Sequence, residues 1–199
     1  MIESIKDYWY MWLILIALIA VLVLVMRKAS KAVSKRNAIM KQQREDMERF
    51  KFLNDKYTNL TKELAESADA KELAEGVAAV LHKQLEKSGN PDEEYKNAEP
   101  WKREVDALFY FDEDCETSLS FFFNNNAEPL PSVVMQGLKS IGADKSSSLC
   151  AQMYAIYDDK NESVSLDKEI ANGLDKKFSE VYDRENYFEL VRKYIINNL

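Results

Sequence analysis

The sequence predicts an all-α protein. Three observations carry this: long stretches without Pro or Gly, apolar residues recurring at helical spacing, and no convincing run of alternating strand residues. "LSFFF" at 119–123 is the best strand candidate, and its residues also fit the preceding helical stripe. The chain has 199 residues, enough for one domain plus an appendage. Its charge is uneven. Residues 91–199 hold 22 acids and 12 bases, a formal -10, whereas residues 1–90 hold 12 acids and 15 bases, a formal +3. A basic amino-terminal region and an acidic carboxy-terminal region face different partners.

The expected organisation has three parts: an anchor at 1–28, a helical stalk at 29–90 and an acidic helical domain at 91–199. The first rests on Tyr8 to Met26, 19 residues without a charge. As a helix this run spans about 28 Å, the depth of a bilayer core. Tyr8, Trp9, Tyr10 and Trp12 give it an aromatic belt. Glu3, Lys6 and Asp7 precede it and the core runs straight into Arg27 and Lys28, which argues against a cleaved signal. Arg27, Lys28, Lys31, Lys35 and Arg36 follow it closely. These bases predict contact with anionic lipid headgroups, an amino terminus outside and a carboxy-terminal domain in the cytoplasm of a single-pass inner-membrane protein. The sequons at Asn59 and Asn161 would then stay unglycosylated.

Residues 34–66 read as a continuous helix. Met40, Met47, Phe50, Tyr57 and Leu64 form a heptad-spaced seam, flanked by Leu53 and Leu60 and interrupted by Asn54 and Thr61. Two readings stay open: a coiled coil between two copies, making a homodimer, or one amphipathic helix packed on its own domain. A second helix starts at the Asp69/Glu72 pair, which has capping-box spacing, and runs along Leu73, Val77, Leu81 and Leu85. His82, the only histidine, adjoins this stripe and reads as structural or solvated. Lys87 to Pro100 reads as a polar loop.

Within the acidic domain, one helix starts after Pro100 and turns Trp101, Val105, Leu108, Phe109, Leu119 and Phe123 inward. A helix from Pro131 carries Val134, Leu138 and Ile141, with Gly142 suited to its C′ position. Asp144 then caps a helix carrying Leu149, Met153 and Ile156. After a loop, a further helix carries Leu166, Ile170, Leu174, Phe178 and Tyr182, and a closing helix carries Phe188, Val191, Tyr194 and Ile195.

The acids of "FDEDCE" separate on a helical projection. Asp112 and Glu116 fall within about 20° of Val105, on the apolar side, with Glu113 on the flank and Asp114 facing out. A buried carboxylate needs donors. Asp112 and Glu116 are therefore expected as core groups, bonded by a helix end, by an asparagine of "NNN" such as Asn124, or by a tyrosine hydroxyl. Binding of a polar ligand, acid/base chemistry or a metal site are the alternatives for this pair. Glu113, Asp114 and Glu128 are the candidate partner-contacting acids. No phosphate-cradling glycine loop, nucleophile elbow or HExxH is present. The expectation is a non-enzymatic protein with no cofactor and no metal. Cys115 and Cys150 lack metal-ligand spacing; buried free thiols are favoured over a disulfide.

The segment "LPSVVMQGLKSIGADKSSSL", with "FFFNN" before it and "LDKKFSEVYDRENYFELVRKYIINN" after it, resembles the bacterial DNA-mimic protein family over about Trp101 to Asn198. The resemblance places Asp112 at the family's acid, Phe121, Phe122 and Asn124 at its aromatic-Asn run, and Ile141, Gly142 and Ala143 at its turn. The family's "NNGGF"-like segment is replaced by Asp114 to Ser118, which implies a more continuous first helix. The resemblance implies a small helical bundle whose negative surface imitates duplex phosphates and occupies a basic DNA-binding protein, with no direct contact to nucleic acid. The function expected from sequence is a membrane-anchored interaction protein of this kind, the alternative being a bitopic scaffold that dimerises through its stalk.

Overall fold

The computed structural model describes residues 9–156 and 168–199; Leu166 and the Asn161 sequon lie outside them. Every described element is a helix: α1 (Trp9–Tyr57), α2 (Lys62–Ser67), α3 (Ala70–Lys87), α4 (Pro91–Asn97), α5 (Pro100–Cys115), α6 (Leu119–Asn125), α7 (Leu130–Ser140), α8 (Asp144–Ile156), α9 (Lys168–Val181) and α10 (Arg184–Asn198). The chain divides into two compact units, Met1–Arg49 and Phe50–Leu199.

The first unit holds α1 as far as Arg49. Of its side chains, Leu15, Leu18, Met26, Val33 and those from Arg36 to Arg49 are described, and all of these are exposed. Short-range pairs decorate it: Gln42 Nε2 donates to Asp46 Oδ1 at 3.1 Å and Lys41 lies 3.6 Å from Glu45. The expected bilayer crossing at 8–26, and with it the single-pass inner-membrane placement, is overturned. Among the described residues no helix is long and apolar enough to cross a membrane. Arg27, Lys28, Lys31 and Lys35 lie on α1 with side chains outside the described set, and Arg36 is exposed. Their expected lipid contact loses the span beside which it was inferred.

The second unit starts inside α1, so residues 50–90, expected as the end of a stalk, supply core. Leu53 and Tyr57 are buried with Leu73 and Val77 of α3. Met40 and Met47 of the expected seam are exposed, whereas Tyr57 of the same seam is buried in this unit's own core. The close approach of Tyr57 to α3 depends on Gly76, where a Cβ would stand 2.1 Å from Tyr57 Cδ2. Asp69 caps α3 as its spacing predicts, its carboxylate accepting from the Glu72 N–H at 2.9 Å. Glu72 Oε1 accepts from the Tyr57 hydroxyl at 2.8 Å.

The segment expected as a loop before Pro100 contains α4. Asn90 caps it, Pro91 takes the first helical position and Asp92, Glu93 and Glu94 fill the first turn, where the helix dipole favours acids. It buries no side chain, so no apolar stripe announced it.

Helix α5 is the centre of the unit and packs on α3, α6, α7 and α10. Val105, Leu108, Phe111 and Asp112 on it are completely buried. Phe111 meets Phe122 and Phe178 edge-on, at ring distances of 5.0 and 5.8 Å. The Tyr187 hydroxyl of α10 donates to the Leu108 carbonyl at 2.7 Å. α5 does not run on to Phe123 as expected. It stops at Cys115, and Ser118 caps the separate α6 by accepting from the Phe121 N–H at 3.0 Å.

Helix α7 ends in a Schellman motif. Gly142 has φ 78, its N–H bonds the Lys139 carbonyl at 3.1 Å, and the Ala143 N–H bonds the Leu138 carbonyl at 2.9 Å. Ala143, not Asp144, then occupies the cap of α8, its carbonyl accepting from the Ser147 N–H. On α9, Leu174 and Phe178 are buried as expected, while Ile170 is 49% exposed.

Candidate protein-binding surface

The acids on and after α5 take different environments. Asp112 has no solvent exposure and lies where the projection puts it. Its Oδ1 accepts from the Tyr182 hydroxyl at 2.7 Å and from Arg184 Nε at 2.9 Å; its Oδ2 accepts from Arg184 Nε at 3.0 Å and from Arg184 Nη2. Lys71 of α3 stands 3.8 Å away. One carboxylate thereby ties α5 to the start of α10 and faces α3. A tyrosine hydroxyl was among the expected donors; the arginine was not. Burial first, then the neighbouring Tyr187 and Asp112, push the Tyr182 phenol up, so it stays a donor. The Asp112 carboxylate is the first cause that raises Arg184.

Glu116 departs from the expectation. Its side chain is 57% exposed and pairs with Arg184 Nη1 at 2.5 Å. The 100° projection stops applying where α5 stops, and Glu116 is the C-cap residue. Asn124 is exposed rather than buried, because α6 is its own helix and turns Leu119, Phe122 and Phe123 inward instead. Asn126 takes the bridging role: its Nδ2 donates to Asp114 Oδ2 at 2.6 Å and to the Phe122 carbonyl at 2.8 Å. Asp114, expected to face solvent, is half-buried under this contact. Glu128 is exposed and accepts from the Tyr154 hydroxyl at 2.6 Å.

Glu113 remains. It is exposed, and among the described residues no hydrogen bond or ion pair engages it. Partial burial pushes its carboxyl above the usual value; Lys71 opposes this, while Glu75, Asp112 and Glu116 add to it. Glu75 of α3, Glu113 and Glu116 therefore form a crowded acidic ridge. Sequence reasoning missed Glu75 because it lies on a different helix, 38 residues earlier.

Other acids serve the fold. Glu104 is buried and accepts from the Tyr194 hydroxyl at 2.6 Å, and Asp175 accepts from the Ser120 N–H at 2.7 Å and its hydroxyl at 2.6 Å. His82 is not without a partner: its Nε2 lies 3.0 Å from Asp106 Oδ1. Among the described residues no group of three or more His, Cys, Asp or Glu is placed to hold a metal. Cys115 and Cys150 are free thiols, both pushed up chiefly by burial, which disfavours the reactive thiolate.

Comparison with known proteins agrees with the resemblance carried by the "GLKSIGADK" segment. No curated protein and no solved structure matches the chain. The family described as DMP19-like protein, a DNA-mimic family, matches residues 96–198, which span α5 to α10 and just over half of the chain. The chain belongs to the DMP19-like protein family.

Proposed function

We propose that the helical unit is a non-enzymatic binding module whose acidic ridge engages the basic, DNA-contacting surface of a protein partner. The observation that carries this reading is Glu113. It is an exposed carboxylate raised by partial burial and by its acidic neighbours Glu75 and Glu116. Lys or Arg from a partner would relieve that repulsion, as phosphates are neutralised on DNA. Family membership supports the same reading.

The test is fluorescence anisotropy of the labelled full chain against a panel of purified basic DNA-binding proteins. Binding to a member of the panel should weaken several-fold between about 50 and 200 mM salt. Unlabelled duplex DNA should compete, and Glu113→Gln should reduce affinity. Binding indifferent to salt and to duplex DNA overturns the mimic reading.

Self-association through the first unit is a second reading. It is supported by Val33, Met40 and Met47, which recur every seven residues and are 58%, 55% and 70% exposed. Sedimentation equilibrium of the full chain and of Met40→Glu/Met47→Glu distinguishes it: a dimer that the double substitution leaves intact sinks this reading.

A further inference from the structure

Helices α3 and α5 meet through two opposed charge pairs. At one point Glu75 of α3 is near enough to Glu113 of α5 for its like charge to raise the Glu113 carboxyl. Seven residues later on α3 and seven earlier on α5 stand His82 and Asp106, 3.0 Å apart. Seven residues are about two helical turns, or 10 Å of rise, so the two pairs share one antiparallel seam.

The His82 site is enclosed by named groups. Asp106 is buried, with only 6% of its side chain exposed, and His82 is 37% exposed. From α5 the Tyr110 hydroxyl approaches the same Nε2 at 3.4 Å, and its ring tilts against the imidazole at 5.6 Å. From α4 the Tyr95 phenol is pushed up to about 12, by burial first and then by the charge of Asp106. Tyr110 is likewise pushed up to about 12, by burial and then by Asp106 and Glu113. Arg103 of α5 acts on Tyr95 and has a buried Nε with no hydrogen-bond partner. Glu86, one turn on in α3, adds negative charge.

We infer that His82 and Asp106 form a proton-operated latch between α3 and α5. With His82 protonated, an imidazolium–carboxylate pair clamps the two helices against the repulsion of Glu75 and Glu113. With His82 neutral, only a single hydrogen bond between uncharged imidazole and carboxylate remains, and the clamp loosens. The sign follows from linkage. His82 is raised on folding, first by its hydrogen bond to Asp106, so its contribution is complete below its unfolded value of about 6.5 and is lost as pH rises through the folded one. Glu113 is also raised, so acidification removes its repulsion in the same direction. This latch is independent of whether the ridge binds a basic partner.

The experiment is an NMR titration of the imidazole Cε1–H signal in the full chain, from pH 5 to 9, with amide exchange measured at pH 6 and 8. Because His82 is the sole histidine, its signal is unambiguous. The expected midpoint lies above 6.5, falls by about half a unit or more in Asp106→Asn, and the protection factors of α3 and α5, which remove the intrinsic pH dependence of amide exchange, are higher at pH 6 than at pH 8 in the wild type but not in His82→Gln. Tyr110→Phe, a milder change at a partly exposed ring, must keep the raised midpoint to within about half a unit if Asp106 is the partner that matters. A wild-type midpoint at or below 6.5, or the same pH dependence of exchange in wild type and His82→Gln, overturns the latch, and the wild-type titration decides this even if Asp106→Asn does not fold.

Discussion

Replacing Arg184 by Met strips the charge partner from a carboxylate with no solvent exposure while keeping most of the packing of the side-chain stem. Arg184 supplies three of the hydrogen bonds to Asp112. Breaking a buried ion pair by removing one member costs about 3–5 kcal/mol. Two features reduce that here. Arg184 is itself 38% exposed, so part of the pair is screened, and the Tyr182 hydroxyl at 2.7 Å and Lys71 at 3.8 Å remain beside Asp112. A loss of about 2–3 kcal/mol is therefore expected. The exposed contact of Arg184 with Glu116 adds less than about 1 kcal/mol. Urea unfolding of the full chain, followed by tryptophan fluorescence or near-UV circular dichroism, measures the loss. Glu116→Gln is the control and should change stability by less than about 0.5 kcal/mol. Adding Lys71→Met to Arg184→Met should cost more than the two changes taken singly, since each leaves the other cation in reach of Asp112. An Arg184→Met protein within about 0.5 kcal/mol of the wild type refutes the reasoning, because Asp112 would then not need its charge partner.

Gly76→Ala gains about 1 kcal/mol of helix propensity but sets a methyl 2.1 Å from the buried Tyr57 ring; overpacking costs of about 1–3 kcal/mol or more should win, and a rise in melting temperature would contradict that packing. Glu113→Gln should stabilise the protein slightly at pH 7, by less than about 1 kcal/mol after screening. Because the Glu113 carboxyl is raised on folding, its cost is present at neutral pH and vanishes as the group protonates. Melting curves of Glu113→Gln and wild type should therefore converge towards pH 4, and a difference that widens on acidification would reverse the assigned sign.

Local signals in the chain were readable. The Asp69/Glu72 spacing announced the start of α3, and Gly142 announced the turn after α7, because caps and left-handed positions depend on a few adjacent residues. Apolar stripes placed Leu108, Leu138 and Met153 in the core for the same reason. The break after Cys115 was hidden because Leu119 and Phe123 continue the helical period across it; Ser118, a good cap, was the available signal. The partners of the acids were less legible. Asp112 could be placed inside by its spacing, but Arg184 lies 72 residues away and no local rule pairs them. Tyr57 reached the core through Gly76, a fit visible only once α1 and α3 are packed. The apolar run at 8–26 invited a membrane reading from hydropathy alone, and the described helices contain no span to match it.

The donors that hold the acids have an electrical consequence. Tyr154 on Glu128, Tyr194 on Glu104, Asn126 on Asp114 and Ser120 on Asp175 are all uncharged. A neutral donor fixes a carboxylate in position without cancelling its field, whereas an arginine does both. Asp112 and Glu116 are tied instead by a cation, and both by the same Arg184. The four carboxylates held by neutral donors lose rotational freedom without gaining a countercharge from those donors. A charged array that is already immobile gives up little side-chain entropy when a cation docks on it, about 0.5–1.5 kcal/mol less per side chain than a loose one would.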